Sequence, residues 1–341
     1  MYEEDQAPVT LSEIYDQADS CQRTVERAAE RRRVFEQFLP LEHYSDVIIT
    51  GCGSSHNLAM CASFAWSEML ERPVMAVASS ELLHFPEHYL KRDSKPLVIA
   101  ITRSGATTEV KLAVERLKRE YGARALAITS DIGDVADACD TEINFIECRE
   151  QSVVMTQAFT CMLTGLYLLA DGASGSGRTG EIKQLPRLID ERLCSNEHDL
   201  RALAEDEKIA RFFFLGSGPM KGLADECALK ITEMAQASAF SYRTLEFRHG
   251  PKATLNSSDQ VIIFPVEAER QYFATLLAEI EATEARAFVV GESGNSNSRS
   301  EMFLPALYAH VGQLLGYWRA AARELNPDAP RHLARTVMLN V

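Results

Sequence analysis

Two α/β/α domains, each built on a parallel sheet, are predicted by three features of the 341-residue chain. Short, nearly continuous apolar runs alternate with helical stretches, which is the pattern of strands buried on both faces. The order strand–Gly-x-Gly–helix occurs twice, as IITGCGSS at residues 48–55 and FFLGSGPM at residues 213–220. Its recurrence argues for duplication of one α/β unit. The length is too great for one small domain and suits two.

Residues 9–38 read as helix, with Thr10 or Ser12 able to cap it and Arg31, Arg32 and Arg33 forming a solvated charged face. From Ser45 the apolar runs begin: DVIIT ending before Gly51, PVMAVAS after Arg72, PLVIAIT before Arg103, ALAITS after Arg124 and EINFIE after Thr141. Helices are expected between them, notably over 57–70 and 108–121. The Gly- and Ser-rich stretch 171–187 reads as a linker or long loop. Beyond it come a helix near 188–204, the strand RFFFLGSG, a helix carrying DECALKITEM, and the strands ASAFSYR, QVIIFPV and RAFVVGE. A helix over 304–322 precedes NPDAPRHLARTVMLNV, where the prolines predict an extended end. The expected boundaries are a helical segment 1–40, a first domain 41–172, a connector 173–195, a second domain 196–325 and a tail 326–341.

Composition narrows the function. Apolar residues make up 46% and charged residues 25%, as in an ordinary globular protein. The net charge of −14, from 35 basic and 49 acidic residues, argues against binding nucleic acid or an anionic membrane surface. An anionic small substrate stays open, because backbone amides at helix starts bind phosphate without net positive charge. The eight cysteines contain no Cys-x-x-Cys pair, and no leader is read at Met1–Asp5, so reduced thiols and a cytoplasmic location are expected. The run 152–170 is broken by Thr156, Gln157, Thr160 and Thr164, which suits a buried helix better than a membrane span.

Three stretches carry candidate chemistry. The loop Gly51-Cys52-Gly53-Ser54-Ser55 lies between strand and helix, where glycines permit a tight turn and amides and hydroxyls can surround an anion. The loop running from Thr102 through Arg103, Ser104, Gly105 and Thr107 to Glu109 falls likewise between strand and helix, with more hydroxyls than a turn requires. Two such loops at the carboxyl ends of neighbouring strands would meet at one crevice. The third stretch is 225–252: Glu226, Lys230 and Glu233 share one helix face by spacings of four and three, and His249 follows in a His-Gly-Pro turn. A carboxylate, a lysine and a histidine form a set able to move protons on carbon and oxygen. The competing reading is a surface Glu–Lys pair and a structural histidine.

These stretches, with SEIYDQ, EQSVVMTQAFT, EFRHGPK and NPDAPRHLARTV, resemble the SIS (sugar isomerase) family in its tandem form, in the family's order and over nearly the whole chain. The resemblance extends to the isomerase half of glucosamine-6-phosphate synthase, and is closer to tagatose-6-phosphate ketose/aldose isomerase and amino-sugar-6-phosphate deaminases. It implies two SIS domains with flavodoxin-like sheets, a hexose 6-phosphate or amino-sugar 6-phosphate as substrate, no cofactor, no metal, and a homodimer whose partner subunit completes each site. Ser54 and Ser55, then Thr102, Ser104 and Thr107, would contact phosphate. Glu233 would be the base working between C1 and C2, Lys230 and Glu226 would contact the reacting sugar, and His249, supplied across the dimer, would assist ring opening. The segment carrying Val153 would line the sugar site, with the tail close by.

Two positions depart from the synthase pattern. Arg335 stands where the synthase has a Schiff-base lysine, and a guanidinium is a very poor imine former. Arg103 replaces a glutamine and would add charge beside the phosphate. No glutaminase segment with an N-terminal catalytic cysteine is read before Ser12. The expected function is therefore aldose–ketose isomerisation, with deamination if the sugar carries an amine. The alternatives are a non-catalytic sugar-phosphate-binding regulator and an ammonia-dependent, synthase-like enzyme.

Overall fold

A computed structural model describes residues 8–291 and 300–339. Residues 1–5, searched above for a leader, and Glu292 at the end of the last strand reading lie outside the described residues, as do the final Asn340 and Val341. The first sheet comprises β1 (Val47–Gly51), β2 (Met75–Ala78), β3 (Leu97–Thr102), β4 (Arg124–Thr129) and β5 (Thr141–Asn144), ordered β2-β1-β3-β4-β5. The second comprises β6 (Arg211–Gly216), β7 (Ser238–Tyr242), β8 (Asp259–Phe264) and β9 (Arg286–Val289), ordered β7-β6-β8-β9. Every strand pair is parallel. The second order matches that of the first four strands of the first sheet.

Burial explains why these segments are strands. Each residue of β1, β3 and β8 is buried, so the alternation that marks a half-exposed strand is absent and unbroken apolar runs such as 47–49, 97–101 and 261–264 result. One apolar cluster contains residues from both sheets, including Ile49, Ile99, Phe212 and Ile262, together with the helices Gln157–Ser174 and Met220–Ala235. Smaller clusters cover the outer faces of the two sheets. Among the described residues no helix is long and apolar enough to cross a membrane.

Three expectations are corrected. The N-terminal stretch is three helices, Val9–Tyr15, Gln17–Glu26 and Ala28–Phe35. Its first amides are capped neither by Thr10 nor by Ser12. The Asp328 carboxylate accepts from Val9 N at 3.1 Å and Thr10 N at 2.8 Å, so the cap arrives from the far end of the chain. Arg31 is not surface charge: it is 5% exposed, lies over the Phe145 ring and donates to Glu147. Nothing in its local spacing distinguishes it from Arg32 and Arg33; only Glu147, over a hundred residues away, does.

The third correction concerns the Gly/Ser-rich stretch 171–187, which is largely helical rather than an open linker. The helix Gln157–Ser174 runs into it, Thr179–Ile182 is a short helix, and Leu185–Glu205 starts within it and continues through the expected connector 173–195. The Asp171 carboxylate accepts from Ser176 Oγ, Arg178 N and Thr179 Oγ1, giving the turn the hydrogen bonds that a solvated linker takes from water.

Candidate active site

The first loop leaves β1 at Gly51 and enters the helix Ser54–Leu70. Gly53 at its N-cap has φ +55° and ψ −128°, a conformation that residues bearing a Cβ rarely reach. Ser55 is buried, while Ser54 remains partly open at the helix start. The second loop leaves β3 at Thr102 and enters the helix Thr108–Tyr121. Thr102 Oγ1 and Thr107 Oγ1 are 2.8 Å apart, and Ser104 Oγ accepts from Ala106 N at 3.3 Å.

β1 and β3 are neighbours, yet the helices that follow them pack into different apolar clusters: Leu58 and Ala59 in one, Val110 and Val114 in another. The loops thus open at a topological switch point, where open α/β sheets bind ligands. Amide donors, hydroxyls and the starts of two helices make that crevice suited to an anion.

The helix Met220–Ala235 runs along the first of these helices at close range. A Cβ on Gly222 would stand 2.6 Å from Asn57 O and 2.7 Å from Cys61 Sγ. The approach carries Glu226 onto Asn57, whose Nδ2 donates to Glu226 Oε2 at 2.9 Å. Lys230 Nζ is 3.2 Å from Glu226 Oε1 and 2.5 Å from Glu233 Oε2, and donates to Ser54 Oγ at 3.2 Å. Side-chain exposure is 1% for Lys230, 2% for Glu226 and 21% for Glu233. Glu233 is therefore the carboxylate at the mouth, and the other two lie beneath it.

Electrostatics follow from that layering. Burial alone would depress the Lys230 ammonium, but Glu226 and Glu233 outweigh it and hold its pKa above the ordinary lysine value. Burial raises the Glu226 carboxyl, with Lys230 opposing and Glu233 adding to the rise. The group is a protonated lysine between two carboxylates in a dry setting, where charge interactions are strong. It can hold a proton, accept one at Glu233, or stabilise an oxyanion.

His249 is exposed, in the turn between the 3₁₀ segments Glu246–Arg248 and Pro251–Thr254, and hydrogen-bonds none of these three. The structure brings Ser54, Glu226, Lys230 and Glu233 together within one chain and leaves His249 apart.

Arg103 and Arg335 meet each other rather than standing free in the crevice. Arg103 donates to Glu150 Oε2 at 3.2 Å, Ser152 O at 3.2 Å and Arg335 O at 3.0 Å. Arg335 donates to Asp131 Oδ2 at 2.9 Å and to Glu150 O. Val153 lies between them in chain order, its amide donating to Asp328 O at 3.3 Å. Among the described residues no group of three or more His, Cys, Asp or Glu is placed to hold a metal ion. Sequence reading passed over Asn57 and Glu150. Asn57 follows Ser54 by three residues on one helix and so shares its face, a signal that was available. Glu150 had only a local one: its Oε1 accepts from Thr156 and Ala158 at the start of the next helix, while Arg103 reaches its Oε2 from the loop after β3 and Arg335 reaches its carbonyl from the tail.

This is the architecture of an α/β protein with two parallel sheets and an anion-suited crevice, and comparison with known proteins assigns its family. Residues 41–171 match the SIS domain. The glucosamine-6-phosphate deaminase of Thermotoga maritima is 31% identical, with 97% of this chain and 99% of that one covered and a TM-score of 0.81. The chain belongs to the SIS-domain family. Tagatose-6-phosphate ketose/aldose isomerase of Escherichia coli shares the fold, with a TM-score of 0.83 over 94% of each chain at 22% identity. Among curated relatives, the glutamine–fructose-6-phosphate aminotransferase (isomerizing) of Pyrococcus horikoshii is 30% identical over 349 residues and that of Chlamydia muridarum 29% over 357. Each alignment takes in 96% of this chain, which spans 57–58% of the length of those relatives.

Proposed function

We propose that this chain is an aldose–ketose isomerase of hexose 6-phosphates, and that its substrate is an amino sugar converted to the ketose with release of ammonia. The observation that carries the reading is the 3.2 Å hydrogen bond from Lys230 Nζ to Ser54 Oγ. It joins the proton-handling face of one helix to the anion-suited loop of another, so a phosphate in the loops and a sugar carbon at Glu233 are compatible with one ligand. The names of the relatives agree with this chemistry.

In the proposed reaction Glu233 takes the proton from C2 of the open-chain aldose while the C1 carbonyl oxygen gains a proton, giving an enediol or, with an amine at C2, an enolamine. Lys230 steadies the developing charge on oxygen. Glu233 returns the proton to C1. With an amine the product is a ketose imine, which takes up water and releases ammonia. His249 of a partner subunit would assist ring opening; its exposure and its distance from hydrogen bonding with the other three fit a role in a second copy's site. Arg335 cannot serve as a Schiff-base lysine, which favours the isomerase–deaminase direction over ammonia-dependent synthesis.

Proton NMR in deuterated buffer with glucosamine 6-phosphate and galactosamine 6-phosphate in parallel, followed by an ammonia assay, tests the reading. Loss of the C2 proton with ketose and ammonia appearing is the expected result. Saturable binding with no exchange, on these or on the neutral hexose phosphates, would replace the enzyme with a sugar-phosphate-binding regulator. Glu233→Gln should lower turnover by at least about 10²-fold, the usual contribution of a general base, with the substrate Kd within a few-fold of wild type.

A further inference from the structure

The loop 150–156 has an unusual hydrogen-bond supply. It has no ladder partner, and the acceptors for the amides of Gln151, Ser152 and Val153 come from distant parts of the chain. Gln151 N and Ser152 N donate to Glu13 Oε1, the second at 3.4 Å. Val153 N donates to Asp328 O at 3.3 Å, and Thr156 N to Glu150 Oε1 at 2.6 Å. Val154 N is served by Ser152 Oγ at 3.1 Å, and that hydroxyl pairs in turn with Thr10 Oγ1 at 2.8 Å. Buried amides need acceptors, so the loop's path is set by whoever supplies them. Two of these amides depend on one carboxylate.

That carboxylate sits in a costly place. Glu13 is 6% exposed in the helix Val9–Tyr15, and its Oε2 is buried with no hydrogen-bond partner. The charged groups facing it are Glu150, which opposes its ionisation, and Arg103, which favours it. The tail's Asp328 is engaged at the start of the same helix, and the packed helix His310–Ala322 presents neutral Gln313 to Gln17. Glu13 is thus a buried carboxylate with half its acceptor capacity unused, beside a second carboxylate. Structural packing alone does not call for such a group.

We propose that Glu13 is a positioning residue that sets the loop carrying Val153, and with it the sugar end of the site, through the amides of Gln151 and Ser152. The consequence for the sugar rests on the function proposed above; the hold on the loop does not. Burial, with Glu150 adding, raises the Glu13 pKa to about 7, the Gln151 and Ser152 amides and Arg103 pulling the other way. A carboxylate accepts from two amides more strongly than a carboxylic acid does. The loop is therefore held more tightly above pH 7 than below it. Stability moves in the opposite sense: the folded chain binds this proton more tightly than the unfolded chain does, so the Glu13 contribution falls as pH rises from about 4.5 through about 7.

Hydrogen exchange of the peptide spanning 149–156, corrected for intrinsic rates and read by mass spectrometry from pH 5.5 to 8.5, tests the hold directly. In the wild type, protection should rise several-fold with a midpoint near pH 7. Glu13→Gln keeps an acceptor oxygen and should keep protection while losing the pH dependence. Glu13→Ala should lose protection at all pH values. A helix that merely packs predicts identical profiles in all three proteins, and that result overturns the proposal. The functional arm uses amino-sugar phosphate turnover at pH 8, where Glu13→Ala should raise KM at least five-fold with kcat within two-fold, and Glu13→Gln should restore KM. If no sugar phosphate turns over while the loop still titrates, the proposed function fails and the hold on the loop stands. If the sugar turns over with KM unmoved by Glu13→Ala, the positioning role is wrong.

Discussion

Lys230 is fully buried, and its ammonium is held by Glu226 and Glu233. Removing one member of a buried charged group costs more than the group contributes, because the partners stay desolvated and unpaired. Lys230→Met should therefore destabilise by roughly 3–5 kcal/mol, read as a lower urea midpoint with an unchanged slope. Adding Glu226→Gln removes the stranded charge and should recover part of the loss. If Lys230→Met melts like the wild type, Lys230 is not the buried cation that the layering implies. His249, by contrast, is exposed, so His249→Ala should leave stability unchanged within about 0.5 kcal/mol. Its cost should appear in turnover alone.

At the scale of elements, the site depends on two backbone approaches. Gly53 gives the first loop its turn, and an alanine there would sit at φ +55°, ψ −128°, a strain of about 1–3 kcal/mol. Gly53→Ala should weaken inorganic phosphate binding about ten-fold in isothermal titration; unchanged binding would remove the first loop from the anion site. Gly222 lets two helices meet, with the nearest backbone oxygen 2.6 Å from where its Cβ would stand. Gly222→Val should force those helices apart and break the 2.9 Å Asn57–Glu226 hydrogen bond. A fall in thermal midpoint together with a fall in turnover is the expected outcome. That Ser54 and Ser55 follow a strand and a glycine turn, and that Glu226, Lys230 and Glu233 share one helix face, was legible from the chain because strand–glycine–helix order and helical spacing are local properties. Arg31 and the capping of Val9 were not, because their partners, Glu147 and Asp328, lie far along the chain.

Over the whole molecule, one apolar cluster is shared by both sheets. Domains with a common core are not free to unfold separately. The two tryptophans report on the two halves: Trp66 donates to Leu166 O at 3.0 Å in the first, and Trp318 stacks edge-on with Tyr317 in the second, 5.0 Å between centroids. Single-tryptophan variants, Trp318→Phe and Trp66→Phe, should show urea transitions that coincide with each other and with circular dichroism. Separate midpoints would mean that the shared cluster does not couple the halves.

The sequence by itself determined the two parallel sheets, the repeated strand–loop–helix unit and the residues of the two loops and the acid–lysine–acid face. Each depends on periodicity or turn chemistry within some twenty residues. Only the tertiary structure decided that Lys230 touches Ser54, that Arg103 and Arg335 are spent on Glu150 and Asp131, and that Glu13 holds the loop before Val153. Those contacts join residues up to 204 positions apart. What selects them is the requirement that buried charges and amides find partners in space, which no local pattern encodes.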